Sequence, residues 1–386
     1  MVQIRVFAHS WLSDWNHGNA HFLRGLARAL MRRGHAVRLY EALPGPWGDW
    51  SLAHLFSEEP LAAMDAVAAF RAAYPELEVE FYPPGSRRAA CLEAAVREAD
   101  LVLVHEWTAP ELLPALAALR RRYGFVLLLH DTHHRGWTQP EVMGALPLRQ
   151  LDAVLAFGES LRRLYERQWG ARAFTWHEAA DTEIFAPGPS GARGGEVLWI
   201  GNWGDGERTA ALREFLLEPA QALPEIPFAA YGVRYPAAGR EALRRSGIRF
   251  GGYLPNLRAP AAYQASALTL HIPRAPYTGD LEGIPTIRVF EALACGAALV
   301  AAPWRDAEGL FRAGQDYWLA TDGAACTAMI RELAANPARA AALGASGRER
   351  VLARHTCAHR AAELEAIVTD VSGARFRPAR AVPGAA

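Results

Sequence analysis

The sequence predicts an α/β chain of two tandem doubly wound domains. Three observations carry that reading. Short continuous apolar runs alternate with Ala/Leu/Arg stretches of helical period, the pattern of parallel strands covered on both faces. The alternation breaks once, at a Pro/Gly/Ser-rich segment, and then restarts. A length of 386 residues exceeds what one core usually holds, and 51% apolar residues suffice to fill two.

The elements follow in order. IRVFA (4–8) reads as a first strand; Leu23, Leu26, Ala27, Leu30 and Met31 recur at i, i+3, i+4, i+7 and i+8, one face of a helix. Asn19 is placed to cap that helix, Gly34 to stop it, and AVRLY (36–40) is the next strand. The loop between strand and helix, HSWLSDWNHGN, is rich in hydrogen-bond donors. LVLVH (101–105), FVLLLH (125–130) and AVLAFG (153–158) continue the first domain, residues 1–185. FAPGPSGARGG has no apolar period and gives a linker at 186–195. EVLWIG (196–201), FAAYG (228–232), ALTLHI (267–272) and AALVAA (297–302) are strands of a second domain, 196–350. One last helix is expected over about 345–371, with 351–372 returning to the first domain, and 373–386 as a disordered tail. Ligands of such sheets bind beyond the carboxyl ends of the strands.

Composition excludes several chemistries. All 41 basic residues are arginine. Without a lysine the chain cannot be a Schiff-base aldolase, a pyridoxal phosphate enzyme or a P-loop NTPase. Phosphate recognition falls to arginine forks, main-chain amides and helix N-termini. The 41 acidic residues bring the formal charge to zero, and dispersed charge argues against nucleic-acid or polybasic membrane binding. Cys91, Cys295, Cys326 and Cys357 form no CxxC and read as buried thiols of a cytoplasmic protein. Arg5 interrupts the first apolar run, so MVQIRVFAHS reads as a strand rather than a signal peptide, and no run approaches the ~20 residues of a transmembrane helix.

Chemistry concentrates in two places. In GIPTIRVFEALACG (283–296), Pro285 suits the first helical position and Gly296 the stop, giving a helix of about eleven residues. It is apolar nearly all round and therefore buried, except for Arg288 and Glu291 on one side. Those two are either an ion pair or a polar edge on a cleft. In the second case the amides of Thr286, Ile287 and Arg288 face an anion and Glu291 accepts from a diol. The first domain gathers His105 and Glu106 after one strand and His130, Asp131, His133 and His134 after another. A metal site, mutually satisfied strand ends and an acceptor-side catalytic loop are the three readings. HDTHH matches neither HxHxDH nor HExxH, so no metal ligand is assigned.

The strings HDTHHRG (130–136), WHEAADTEIFAP (176–187), IGNWGDGERT (200–209), YGVRYP (231–236), IPTIRVFEALACG and HTCAHR (355–360) together resemble the spore-maturation CgeB-like glycosyltransferases, over most of the chain and in order. These are related to the family 4 (group 1) retaining enzymes of GT-B fold, two Rossmann-like domains facing a cleft. The resemblance implies donor-binding roles for Glu291 on the ribose diol and for Arg208, Arg274 and Arg288 on the diphosphate. Asn202 lies in the same string as Arg208; Thr286 opens the helix, Tyr253 lies in the loop that meets the base, and Gly18 in the loop brought against the phosphates. It implies His130 beside the donor sugar, Asp131 as a base if the reaction inverts, and His105, Glu106, His133 and His134 on the acceptor side. The family's E-x7-E pair is broken, because Gly283 stands where the first glutamate belongs and Glu282 is one residue out of register. His17 reads as a solvent-facing loop residue or a further donor. Trp199 reads as core; Trp11, Trp15, Trp47, Trp50, Trp107 and Trp137 are loop residues, several of them candidates for the border of an acceptor groove.

The implied activity is a metal-independent, retaining glycosyltransferase of hexosyltransferase type that needs no cofactor. Its donor is a UDP- or GDP-sugar and its acceptor a carbohydrate, lipid, protein or small molecule. A GT-B nucleotide-sugar epimerase and a non-catalytic nucleotide-sugar-binding protein are the alternatives.

Overall fold

The structure, a computed structural model, describes residues 1–43, 55–57, 59–188, 194–204 and 206–373. Part of the expected linker, nearly all of the expected tail, and Trp47 and Trp50 lie outside these residues. The chain divides into two units, one comprising Met1–Glu178 together with the segment from Cys357 onward, the other Ala179–Thr356.

The first unit holds a seven-stranded parallel sheet in the order β3-β2-β1-β4-β5-β6-β7. The strands are β1 (Gln3–Ala8), β2 (Ala36–Ala42), β3 (Val79–Tyr82), β4 (Leu101–His105), β5 (Val126–Asp131), β6 (Ala153–Ala156) and β7 (Ala173–Thr175). Every residue of β4, β5 and β6 is buried, which explains their unbroken apolar runs. The edge strands β3 and β7 escape a periodicity reading because VEFY and AFT are short and only partly buried. Register pairs His105 with His130, so both imidazoles leave the same end of neighbouring strands.

Asn19 does occupy the cap position of the helix Ala20–Arg32, but its side chain makes no capping bond. It donates instead to Thr132 Oγ1 at 3.0 Å. Gly34, at φ 84°, ends the same helix in the left-handed region that favours glycine. The helix Cys357–Ser372 packs on Ala20–Arg32. Arg33 reaches the Glu365 carboxylate through a fork at 2.7 and 2.5 Å, and His35 meets it at 2.7 Å.

The second unit holds six parallel strands in the order β10-β9-β8-β11-β12-β13. They are β8 (Glu196–Ile200), β9 (Phe228–Tyr231), β10 (Ile248–Phe250), β11 (Ser266–His271), β12 (Ala298–Ala301) and β13 (Trp318–Leu319). Val197, Trp199, Leu216, Leu243, Leu268 and Ile330 lie in its core.

Two helix boundaries differ from expectation. The helix expected over about eleven residues is Ile287–Ala294, with Thr286 extended at the cap (φ −78°, ψ 162°), so Pro285 lies outside it. The single C-terminal helix is instead two, Pro337–Arg354 and Cys357–Ser372, interrupted at His355 and Thr356. The His355 ring packs against Phe290 and Phe311 with centroids 5.6 and 5.0 Å away, and its Nε2 lies 3.2 Å from the Leu310 carbonyl. Burial of that ring favours a non-helical backbone at His355 (φ −131°) over continuation of the helix. Among the described residues, no helix is long and apolar enough to cross a membrane.

Candidate active site

In the second unit, polar side chains collect at the carboxyl ends of β8 and β11. Arg208 is only 8% exposed. Its Nη1 donates to the Asn202 carbonyl at 3.0 Å, while its buried Nε has no hydrogen-bond partner among the described residues. Asn202 Oδ1 accepts from Val233 N at 3.0 Å, tying the loop after β8 to the loop after β9. The two backbones run so close that a Cβ on Gly232 would stand 2.2 Å from the Gly201 carbonyl oxygen, so no larger residue fits. Burial first, and the Arg274 cation second, pull the Arg208 guanidinium down to about 10. Arg274 itself donates to Glu207 at 2.9 Å.

His271, the last residue of β11, completes this cluster. Its Nε2 lies 3.3 Å from Thr286 Oγ1, and its buried Nδ1 has no partner among the described residues. Burial, and then Arg208, lower it to about 3, so the ring is neutral at any working pH. The sequence reading passed over His271 although it stands where a ligand-facing residue belongs, at the end of a strand.

Arg288 and Glu291 are an ion pair, Nη1 to Oε2 at 2.7 Å, and the Tyr263 hydroxyl donates to the same oxygen at 3.0 Å. The Glu291 side chain is wholly buried, whereas that of Arg288 is 25% exposed. A direct contact between Glu291 and a ribose would therefore require Arg288 to move aside. Tyr253 follows Gly252, which has φ 69°, in a partly buried loop after β10. Glu282, out of register in the sequence, is half exposed and pairs with Arg305 at 3.1 Å.

In the first unit, the carboxyl ends of β4 and β5 carry a second cluster. Glu106 is held at every turn: Thr132 N and Oγ1 donate to Oε1 at 2.9 and 3.0 Å, and Arg135 Nε and Nη2 donate to Oε2 at 3.1 and 3.0 Å. Asp131 accepts from Tyr165 Oη at 2.5 Å. Burial, and then the Glu106 charge, hold the Asp131 carboxyl well above the usual carboxylate range. His130 is buried against Trp176, His105 and Phe22, with centroids 4.9, 5.4 and 5.9 Å away, and burial lowers it to about 3. His133 and His134 stack at 3.9 Å, and His133 meets the Trp107 edge at 5.1 Å. Arg135 lies 4.1 Å over the Trp107 ring. Arg135, Thr132 and Tyr165, which the sequence reading did not name, fix these carboxylates.

Three expectations change here. His17 is not solvent-facing but 3% exposed, and Trp11 and Trp15 are core residues, each 1% exposed, rather than the border of a groove. Trp199 is core. Gly18 directly follows the buried His17, and the three histidines that gather ligand atoms within 4.8 Å of one another are His9, His17 and His105, of which only His105 was named as a site residue.

Comparison with known proteins bears on the fold. Residues 18–184 match the glycosyltransferase family 4 model and residues 208–366 a glycosyl transferase-like model. Comparison with curated proteins gives no match. A sucrose-phosphate synthase from Thermosynechococcus elongatus has a similar structure, with 17% identity, TM-score 0.65, and 97% of this chain and 100% of that one covered. The Anabaena protein HepE, solved with UDP and glucose, has 15% identity and TM-score 0.68, covering 96% of this chain and 100% of that one. A glycosyltransferase from Rickettsia africae has 10% identity and TM-score 0.64, with 97% and 99% covered. The fold is GT-B, two parallel-sheet α/β domains of seven and six strands. A glycosyltransferase model thus matches part of each domain, family 4 in the first and glycosyl transferase-like in the second.

Proposed function

We propose that the chain transfers a sugar from a nucleotide diphosphate sugar held by the second unit to an acceptor held by the first. One observation carries this reading: the buried Arg208 fork, with an unpartnered Nε, lies near enough to Arg274 for its pKa to fall. A desolvated guanidinium with an idle N–H beside a second cation is built to receive an anion of more than one charge. The diphosphate of the leaving group supplies it, and two arginines neutralise that charge without a divalent ion. Among nucleotide donors, the uridine class is favoured by the UDP bound to HepE, a protein of similar fold.

Arg288 is the exposed member of its pair and meets the donor, with Glu291 and Tyr263 fixing its fork. Asn202 holds the loops in register around Arg208, Thr286 orients His271, and Tyr253 and Gly18 line the approach of the base and the phosphates. In the first unit a neutral His130 donates a hydrogen bond to the sugar rather than accepting a proton. Asp131 is wholly buried and already engaged by the Tyr165 hydroxyl, which makes it a poor base and favours retention of configuration over inversion. His105, Glu106, His133 and His134 belong to the acceptor side, whose ligand class is open. The proposed setting is the cytoplasm.

The test is a calorimetric and thermal-shift screen of nucleotides and nucleotide sugars with and without EDTA. UDP and one UDP-sugar are expected to bind with affinities that EDTA leaves unchanged. Glu291→Ala is expected to weaken donor affinity and His130→Ala mainly to lower turnover. No binding by any nucleotide would overturn the proposal, and release of an epimerised sugar without any acceptor would favour the epimerase reading.

A further inference from the structure

Three imidazoles of the first unit, from segments far apart in sequence, converge beside the cluster just described. His9 follows β1, His17 lies in the loop before the helix Ala20–Arg32, and His105 ends β4, the strand next to β1. One ring nitrogen from each lies within 4.8 Å of the others, and all three residues are buried. Ring centroids are 4.0 Å apart for His9 and His17, 5.3 Å for His9 and His105, and 5.4 Å for His17 and His105.

We propose that His9, His17 and His105 form a binding site for a zinc-class divalent cation. His9 Nδ1 and both ring nitrogens of His17 are buried without a hydrogen-bond partner among the described residues, a rare condition for polar atoms. A cation supplies a partner for one nitrogen of each ring, the one that carries the lone pair in neutral imidazole. His105 is steadied by long contacts of 3.4 Å, from Asn19 Nδ2 and Thr132 Oγ1 to Nε2 and from Trp107 N to Nδ1. Contacts of that length lie at the outer limit of hydrogen bonding and yield readily to a metal bond. Burial holds all three rings neutral, the state in which imidazole binds metal.

The nearest cations, Arg135 and Arg24, are each paired with a carboxylate, Glu106 at 3.0 Å and Asp14 at 3.4 Å. No carboxylate belongs to the cluster itself, so the donor set is all nitrogen. Hard cations such as Mg2+ and Ca2+ demand oxygen, whereas imidazole suits zinc, cobalt, nickel and copper. Tetrahedral Zn–N bonds of about 2.0–2.1 Å place the nitrogens about 3.3 Å apart, so ligand atoms now within 4.8 Å of one another draw in by at most about 1.5 Å on binding. Three protein ligands leave a fourth position for water or a hydroxyl oxygen, the pattern of catalytic rather than closed structural zinc. The site is built from the first unit alone and is separate in composition from the arginines that hold the diphosphate. Its existence does not depend on the transferase reading.

The experiment uses the full chain without a polyhistidine tag, with Cys91, exposed where a buried thiol was expected, alkylated, stripped with chelator and returned to Co2+ or Zn2+. The wild type is expected to take up about one equivalent of Zn2+ and, with Co2+, to show the intense visible absorption of a tetrahedral complex. His17→Asn and His9→Gln, each checked for an unchanged far-UV spectrum, are expected to bind at least tenfold more weakly. His133→Ala/His134→Ala is expected to bind as the wild type does. Absence of uptake by the wild type, uptake undiminished in both His9 and His17 variants, or loss confined to the His133/His134 variant would each overturn the site. Should one of the two variants fail to fold, the other and the wild-type spectrum decide it.

Discussion

Replacing Arg208 by methionine separates binding from stability. In the unliganded protein the guanidinium is displaced from its ordinary value down to about 10 by burial and by Arg274. At about 1.36 kcal/mol per tenfold, the charged form is destabilised by on the order of 3 kcal/mol. Because the folded value is depressed, that penalty is fully present below about pH 10 and fades as pH rises from there towards the ordinary arginine value. Methionine removes the penalty along with the hydrogen bond to the Asn202 carbonyl, worth about 1.5–3 kcal/mol for a charged donor. The net change in unfolding free energy is therefore between about 0 and +2 kcal/mol, a variant no less stable than the wild type. Donor binding moves the other way. Loss of one charge-assisted contact to the diphosphate, again about 1.5–3 kcal/mol, weakens UDP roughly 10- to 150-fold. Urea denaturation without ligand and calorimetry with UDP measure the two effects separately. A variant that binds UDP as the wild type does refutes the diphosphate assignment; one that loses several kcal/mol of stability refutes the picture of Arg208 as a strained, ligand-awaiting cation.

Tyr263→Phe removes one donor from the buried Glu291 carboxylate and is expected to cost about 1.5–3 kcal/mol in denaturant unfolding. Glu291→Ala leaves Arg288 without its partner and is expected to cost about 3–5 kcal/mol, while an effect below that of Tyr263→Phe would deny the pair its role. His271, lowered to about 3 by burial, stays neutral in the folded chain while the unfolded chain takes up a proton below about 6.5. Its contribution to stability is complete above that value and shrinks by about 1.36 kcal/mol per pH unit on descent towards 3. Stability measured from pH 7 to 4.5 is expected to fall less steeply in His271→Gln. Gly344→Ala places a Cβ 2.0 Å from the Gly296 carbonyl oxygen, backbone that cannot yield cheaply. A loss of several kcal/mol is expected in thermal unfolding, and an unchanged midpoint would mean that the helix Pro337–Arg354 can shift away from that turn.

How much of this was legible beforehand varied with the physics behind each feature. Buried parallel strands announce themselves, because both faces need apolar side chains; β1, β4, β5, β8 and β11 were readable for that reason. So was the buried helix carrying Arg288 and Glu291, because an apolar wheel with two charges three apart has few other uses. Edge strands such as β3 and β13 were not, since a short strand with half its side chains exposed lacks a distinctive period. The break at His355 was invisible because it rests on the aromatic contacts of that ring, which no local preference encodes.

The sequence alone determined that any permanently cationic side chain at an anion site must be an arginine, since no lysine exists in the chain. It also placed Arg208, Arg274 and Arg288 on one domain and His105, Glu106, His130 and Asp131 on the other. Only the tertiary structure decided what state those groups are in. Burial and neighbouring charge depress Arg208 and raise Asp131, and burial keeps His130 neutral. Strand order, which sequence does not state, sets β1 beside β4 and so brings His9 to His105 across a separation of nearly a hundred residues. Composition limits which chemistry is available; desolvation and strand adjacency, which depend on the folded packing, select the groups that exercise it.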